Sequence, residues 1–229
     1  MAMVEIAGVN KTYRQGQVAV HALKNISLAV DKGAFAALAG PSGSGKTTLL
    51  NITGGLDEPD TGEIRVNGSL YGEMRPAEMA ELRLHRIGFV FQAYNLLPVL
   101  SAVENVEYVM QLQGVAKDER RERAIGILDE VGLSGKYHSR PAELSGGQQQ
   151  RVAVARAIVS DPAIVLADEP TANLDSKTGE GLLRIMRRMN REKSVTFIFS
   201  THDRMVMEYA DRLIHIRDGE IVDGGQRET

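Results

Sequence analysis

The chain has 229 residues, of which 43% are hydrophobic and 25% charged, with a formal net charge of −3. That is ordinary globular composition, sized for one large domain or two small ones, and it lacks the strong basic field that would draw nucleic acid. There is no cysteine, which excludes disulfides and thiolate metal sites and fits a reducing compartment.

In chain order, "MVEIAGVNKTY" and "VAVHALKNISLAV" alternate apolar and polar residues, as half-buried strands do. The opening "MAMVEIAGV" has no basic region followed by an apolar run, so no signal peptide is expected. "AFAALAG" (34–40) is a continuous apolar run, the mark of a buried strand in a parallel sheet. "LLNITGGL" reads as a helix closing at Gly54-Gly55, "GEIRVNG" as a strand ending in an Asn-Gly turn, and "IGFVFQ" (87–92) as another strand. From about 93 to 160 helical spacing dominates, with Ala124, Ile127, Leu128 and Val131 on one face of "KDERRERAIGILDEVGL". The greasiest stretch, 96–110, is broken by Pro98, Glu104 and Glu107. It falls short of the roughly 20 mostly apolar residues a bilayer requires, so a membrane role would have to come through a partner.

Strands return at "AIVLADE" (163–169) and "SVTFIFSTHD" (194–203), flanking a helix that carries Leu182, Leu183, Ile185, Met186 and Met189. "LIHIRDGEIV" is a hairpin with an Asp-Gly turn. The expected fold is α/β: a mainly parallel core, an N-terminal antiparallel β part, and an inserted helical subdomain. The expected division is 1–92 with 161–229 for the core and about 93–160 for the insertion.

"GPSGSGKT" (40–47) fits the G-x-x-x-x-G-K-[ST] phosphate loop, after an apolar strand and before a helix. Gly40, Gly43 and Gly45 leave backbone N–H groups open to phosphate oxygens. The helix N-terminus adds partial positive charge. Lys46 would reach the β- and γ-phosphates, and the Thr47 hydroxyl would ligate Mg²⁺. "IVLADE" ends a strand with two carboxylates, where open parallel sheets bind ligands. Asp168 suits the Mg²⁺ shell, and Glu169, leaving the strand in another direction, suits a base facing an attacking water. His202 stands at another strand end, well placed for a γ-phosphate contact. Gln92 also ends a strand, where a glutamine is as often a turn residue. Tyr13 could face a purine, though its spacing reads as strand packing. "DERRER" (118–123) and "RRMNREK" (187–193) read as solvated helix surface.

A second glycine-rich helix start lies at "LSGGQ" (144–148). Ser145 and Gln148 form a capping box, and Val152, Ala155, Ile158 and Val159 make an apolar stripe that anchors the helix body. Capping does not explain Gly146-Gly147, because glycine costs about 1 kcal/mol per helical position against alanine. A helix end left bare for an anion does.

"GPSGSGKT", "LSGGQ", "IVLADE", the "NLD" at 173–175, Gln92 and His202 together resemble an ABC-type ATPase domain over nearly the whole chain. "GFVFQAYNLLPVLSAVENVEY" and "LSGGQQQRVAVARA" resemble the MacB/LolD group, whose ATPases serve macrolide or peptide export and lipoprotein release. FtsE-type cell-division ATPases are close cousins, and non-transport ABC ATPases are a remoter alternative. The resemblance implies the P-loop fold with antiparallel β and helical subdomains, ATP and Mg²⁺ as ligands, and hydrolysis to ADP and phosphate. It implies that Tyr13 stacks on adenine, that Gly40, Pro41, Ser42, Gly43, Ser44, Gly45, Lys46, Thr47 and Thr48 hold the phosphates, and that Gln92 senses Mg²⁺ and water and links to the membrane partner. Glu169 would be the base, His202 the γ-phosphate switch, and Asp175 a dimer-seam residue. Leu144, Ser145, Gly146, Gly147 and Gln148 would grip an ATP held by a second subunit. The implied assembly is a homodimer driving integral membrane permease subunits from the cytoplasmic face, without nucleic acid or membrane insertion of its own. Two departures are Ala172, where the group commonly has glycine, and "FSTHD" in place of "VTHD".

Overall fold

The computed structural model describes residues 2–16 and 18–223. The long strands β1 (Ala2–Gln15) and β2 (Val18–Asp31) pair antiparallel, with Val4 opposite Val30 and Tyr13 opposite Val20. β4 (Thr61–Val66) lies on the other side of β1, and the short β5 (Ser69–Leu70) follows it. The turn between them has positive φ at both Asn67 (48°) and Gly68 (82°), the twist that a tight hairpin of this composition takes. Alternation sets Val4 and Ile6 inward, and Met3 and Val9, at register shifts of the β1–β2 pairing, are buried as well.

The second sheet contains β3 (Phe35–Ala39), β6 (Ile87–Val90), β7 (Ile164–Asp168), β8 (Thr196–Thr201), β9 (Arg212–Arg217) and β10 (Glu220–Asp223), in the order β10-β9-β3-β8-β7-β6. All neighbours are parallel except β10, which folds back on β9 through Asp218-Gly219. Period-two alternation divides the interior into two cores. Phe35, Ala37, Val165, Ala167, Phe197 and Phe199 face one way, while Ala36, Leu38, Ile164, Leu166 and Ile198 face the other. A strand buried on both faces has no polar alternation to keep, which is why these segments read as unbroken apolar runs.

The second of those cores is closed by α1 (Lys46–Thr53) and the antiparallel sheet. The first takes α3 (Ala102–Leu112), α4 (Lys117–Glu130), α5 (Gly146–Ile158), α6 (Ser176–Lys193) and α7 (Arg204–Tyr209). The expected stripe of Val152, Ala155, Ile158 and Val159 is buried, as are Ala124, Ile127, Leu128 and Val131. Helical structure also occurs earlier than the spacing predicts, in α2 (Pro76–Arg86). This helix buries only Leu82, so its apolar period is too sparse to read, and it is started by Pro76 and by Glu78 accepting the Arg75 N–H at 2.8 Å. Among the described residues no helix is long and apolar enough to cross a membrane.

β6 and α5 touch backbone to backbone. A Cβ on Gly88 would lie 2.2 Å from the Ala157 carbonyl oxygen, far inside contact distance. Gly88→Ala is therefore expected to cost about 1–3 kcal/mol by forcing helix and strand apart. Thermal or urea unfolding reads this directly, and an unchanged midpoint would contradict the close approach.

Candidate functional site

The parallel register brings the chemistry-bearing residues to one edge. Ala39 is opposite Thr201, Asp168 opposite Ser200, and Val90 opposite Ala167. The loop beginning at Gly40, the pair Asp168-Glu169, His202 and Gln92 therefore all leave the same carboxyl-terminal edge of the sheet, where open parallel sheets bind ligands.

Three backbone contacts shape the phosphate loop. A Cβ on Gly40 would meet the Ile216 carbonyl at 2.1 Å, and one on Gly45 would meet the Ala22 carbonyl at 2.4 Å. Gly45 also has φ +102°, a conformation that side chains resist. The Gly219 N–H donates to the Ser44 carbonyl at 3.1 Å, so the turn of the last hairpin clamps the loop from outside. By contrast Gly43, at φ +78°, has open space where a Cβ would be, leaving its backbone accessible. Pro41 and Ser42 are exposed, and Thr48 lies half-buried on the first turn of α1.

The cation and hydroxyls of this loop are already oriented. Lys46 is buried, and its Nζ donates to the carbonyls of Gly40 (2.8 Å) and Pro41 (2.9 Å). Ser44 Oγ is buried with no hydrogen-bond partner. A buried hydroxyl without a partner is costly, and a phosphate oxygen would relieve it. Thr47 Oγ1 donates to Asp168 Oδ1 at 3.0 Å, joining the loop to the end of β7.

Glu169 follows with φ +44°, a left-handed conformation that costs a non-glycine residue about 1 kcal/mol or more. Its side chain is 11% exposed and is held by His202, whose Nδ1 lies 2.7 Å from Glu169 Oε1. A carboxylate can only accept, so Nδ1 carries the proton and Nε2 is left to face outward. The His202 ring is 65% exposed. Gln92 is exposed at the neighbouring strand end, and its carbonyl accepts from Asn173 Nδ2 at 2.9 Å. The base candidate is thus held by the histidine, while the glutamine stands at the adjacent strand end with its backbone carbonyl tied to Asn173.

Tyr13 lies in β1 opposite Val20, two residues along β2 from the Ala22 carbonyl that backs Gly45. Its ring is 41% exposed and its hydroxyl donates to Asp57 Oδ2 at 2.6 Å. Burial and that carboxylate hold the phenol above its ordinary acidity range, while Thr48 works in the opposite sense.

The start of α5 is built as expected in one respect and differently in another. Ser145 Oγ accepts from the Gln148 N–H at 3.3 Å and Gln148 Oε1 accepts from the Ser145 N–H at 3.0 Å, completing the capping box. Leu144 is buried beneath it. The glycine pair, however, has a packing reason: a Cβ on Gly146 would meet Tyr94 Oη at 2.8 Å, and one on Gly147 would meet Thr178 Cγ2 at 2.3 Å. Close packing thus accounts for glycine at 147, while at 146 the contact is only with the end of the Tyr94 side chain. The same Thr178 is gripped by Asp175, which caps α6 by accepting its N–H at 3.0 Å and its hydroxyl at 2.6 Å. These bonds hold the Asp175 carboxyl below the usual range. The atoms nearest to a Cβ built on Gly146 or Gly147 belong to Tyr94, Asn173, Leu174 and Thr178, none of them in the phosphate loop.

Several supporting residues carry no readable signal in the sequence. Gly219 clamps the loop, Gln150 Nε2 in α5 holds the Pro170 carbonyl at 3.0 Å, and Thr171 Oγ1 donates to Asp203 at 2.7 Å. Asp203 alone has a local signature, standing just before a helix that it caps. Arg156 at the far end of α5 donates to the carbonyls of Tyr94 (2.9 Å) and Asn95 (2.6 Å), two successive residues with positive φ. The segment after Gln92 is therefore held by both ends of α5.

The model of the ABC transporter family matches residues 23–172. A macrolide export ATP-binding/permease protein MacB of Syntrophobacter fumaroxidans is 49% identical over 223 residues, covering 96% of this chain and 31% of that protein. The MacB of Sodalis glossinidius is 47% identical with 34% of its length covered. The chain thus spans about a third of these relatives. An uncharacterized ABC transporter ATP-binding protein of Methanocaldococcus jannaschii, MJ0796, is 43% identical, with 96% of this chain and 95% of that protein covered. A solved dimeric, post-hydrolysis structure of the cassette MJ0796 bound to ADP and Pi superimposes with a TM-score of 0.93 at 41% identity, covering 99% of this chain and 100% of that one.

Gly45→Ala is expected to lower nucleotide affinity by an order of magnitude or more. The added methyl group collides with the Ala22 carbonyl and strains the loop that carries the N–H donors. Calorimetric titration with ATP measures it, and wild-type affinity would show that the loop geometry does not matter.

Proposed function

The chain belongs to the ABC transporter family, and from that premise we propose that it is an ATP-hydrolysing motor subunit whose two copies close around two ATP molecules and drive a membrane permease of the MacB/LolD type. The observation that carries this reading is the pairing of one complete phosphate site with a second glycine-framed helix start, Ser145 to Gly147, that adjoins none of the chain's own phosphate loop. A second copy brings the two together.

Within each site the residues divide the work. The N–H groups of Gly43 to Thr48 and the Lys46 ammonium hold the phosphates. Glu169, fixed by His202, orients and deprotonates the attacking water, a contribution of ~10²–10⁴-fold for a positioned base. His202 Nε2 is directed to the γ-phosphate. The donor set also fits Mg²⁺: the Thr47 hydroxyl and Asp168 carboxylate are hard oxygen ligands 3.0 Å apart, with Gln92 at the adjacent strand end. Among the described residues no group of three or more acidic or histidine side chains could hold a metal ion. Nucleotide phosphates would supply further oxygen ligands to a Mg²⁺ ion held by Thr47 and Asp168. When bound it would neutralise charge on the phosphate oxygens.

Permease docking is assigned to a groove of about 350 Å³ lined by Leu56, Leu84, Phe91, Tyr108 and Leu112. Leu112 is 58% exposed and Tyr108 42%, an apolar surface suited to an amphipathic helix of a partner. It adjoins the segment after Gln92, which gives a route from membrane to site. The division into a core (1–92 and 161–229) and a helical part (about 93–160) fits the same reading, with Ser145 to Gly147 on the helical side. Cargo would be chosen by the permease, and the work would be done at the cytoplasmic face of the membrane.

Glu169→Gln should bind ATP, lose turnover by about 10²-fold or more, and accumulate dimers in size-exclusion chromatography with light scattering. Wild-type turnover would sink the assignment of the base. Ser145→Arg, at an exposed position, should keep ATP binding by one subunit and lose ATP-driven dimers; intact dimers would refute binding in trans. Leu112→Asp should abolish copurification with membranes, and retention of membrane association would exclude the groove as the docking surface.

A further inference from the structure

Tyr13 is anchored through its hydroxyl. Asp57 Oδ2 accepts from that hydroxyl at 2.6 Å, while Asp57 Oδ1 accepts from Lys11 Nζ at 2.7 Å. The same ammonium reaches the Glu58 carbonyl at 2.6 Å. Lys11 and Tyr13 are two residues apart on one strand and so share a face, and the ammonium stands 5.2 Å from the centre of the Tyr13 ring. One carboxylate therefore grips both the end of the ring and the cation beside it.

The position of that carboxylate gives the contact its meaning. Asp57 lies in the segment that leaves α1, just after the Gly54-Gly55 stop, and the other end of α1 is the phosphate loop. Asp60 of the same segment accepts from the Thr12 N–H at 2.7 Å, and the Asp60 N–H donates to the Asn10 carbonyl at 2.9 Å. Residues 10–13 of β1 are thus stitched to the trailing end of the helix whose leading end cradles phosphate.

We propose that Asp57 is a positioning residue for the nucleotide base: by holding Tyr13 and Lys11 it fixes the aromatic platform at a tilt and distance set by α1, so that one rigid unit measures the span from base to phosphates. The proposal rests on the reading of Tyr13 as the adenine platform. The protonation states are suited to it. Burial works against the Asp57 carboxylate, but hydrogen bonds from Lys11 and Tyr13 outweigh this and hold it below the usual range. Lys11 is raised by the same carboxylate. Acceptor and donors therefore keep their roles throughout the neutral range.

The test uses the whole protein and two probes, ATP and inorganic tripolyphosphate, which share phosphates but differ in the base. Asp57→Asn is expected to weaken ATP binding roughly three- to tenfold, the effect of a partly exposed charge-assisted hydrogen bond, with tripolyphosphate affinity unmoved and the change appearing in KM more than in kcat. Tyr13→Phe keeps the ring, loses the hydroxyl, and should behave alike; the double variant should be no worse than either single one. Tyr13→Phe also carries the test if Asp57→Asn lowers stability. Equal losses for both probes, or additive losses in the double variant, would overturn the proposal by making Asp57 a support of the fold or of the phosphate loop alone. Tyr13→Ala with wild-type ATP affinity would overturn the platform reading itself, a result distinct from the others.

Discussion

Backbone pressed against backbone around Gly40 to Thr47 is the constraint on which the rest of the site depends. A phosphate loop must present several N–H groups inward, and it can do so only if something else holds its outer side. Here the outer side meets the Ala22 carbonyl in β2, the Ile216 carbonyl in β9, and the Gly219 N–H in the final turn. The contacts come from two parts of the chain distant from the loop in sequence. The antiparallel sheet and the last hairpin, which carry no catalytic group, are therefore needed to shape the loop. Glycine at 40 and 45 is the price of contacts too close for any Cβ.

A second set of contacts joins the loops at the sheet edge into one assembly. Asn173 holds the carbonyl of Gln92, Gln150 holds that of Pro170, and Thr171 is bonded to Asp203. The strained backbone of Glu169 sits among these ties, which explains how a left-handed glutamate persists: its neighbours are fixed on several sides. The link through Gln150 runs from α5, whose first turn is the glycine-framed helix start. Movement of that helix would thus be felt directly beside the base. Arg156 and Tyr94 tie the same helix to the segment after Gln92, next to the apolar groove assigned to the permease. α5 accordingly touches both the residue that follows the base and the segment that follows Gln92.

The phosphate loop, Asp168, Glu169 and His202 are legible in the sequence because each stands at the end of an apolar strand, and strand ends of a parallel sheet converge on one edge. The capping box at Ser145 and Gln148 is legible because it is a local hydrogen-bond exchange between residues three apart. Gln92 also ends a strand and Tyr13 sits in one, but a turn glutamine and a packed strand tyrosine would look the same locally, so their signal is weak. The helix at 76–86 escapes a reading of the sequence because it lies on the surface with a single buried side chain, so periodicity has nothing to report. The meaning of Gly146-Gly147 is half legible: the excess of glycine is visible, but Tyr94 and Thr178, which pack against it, are distant in sequence.

The sequence by itself determined the elements other than α2, their two-sided or one-sided burial, and the residue types at the phosphate loop and strand ends, because helix and strand periods, caps and turns are local properties. Only the tertiary structure decided that Asp57 grips Tyr13, that Gly219 clamps Ser44, and that the second glycine pair is crowded by side chains. These are contacts between segments that alternation and capping do not relate. Their partners become neighbours only when strands and helices distant in sequence have packed together.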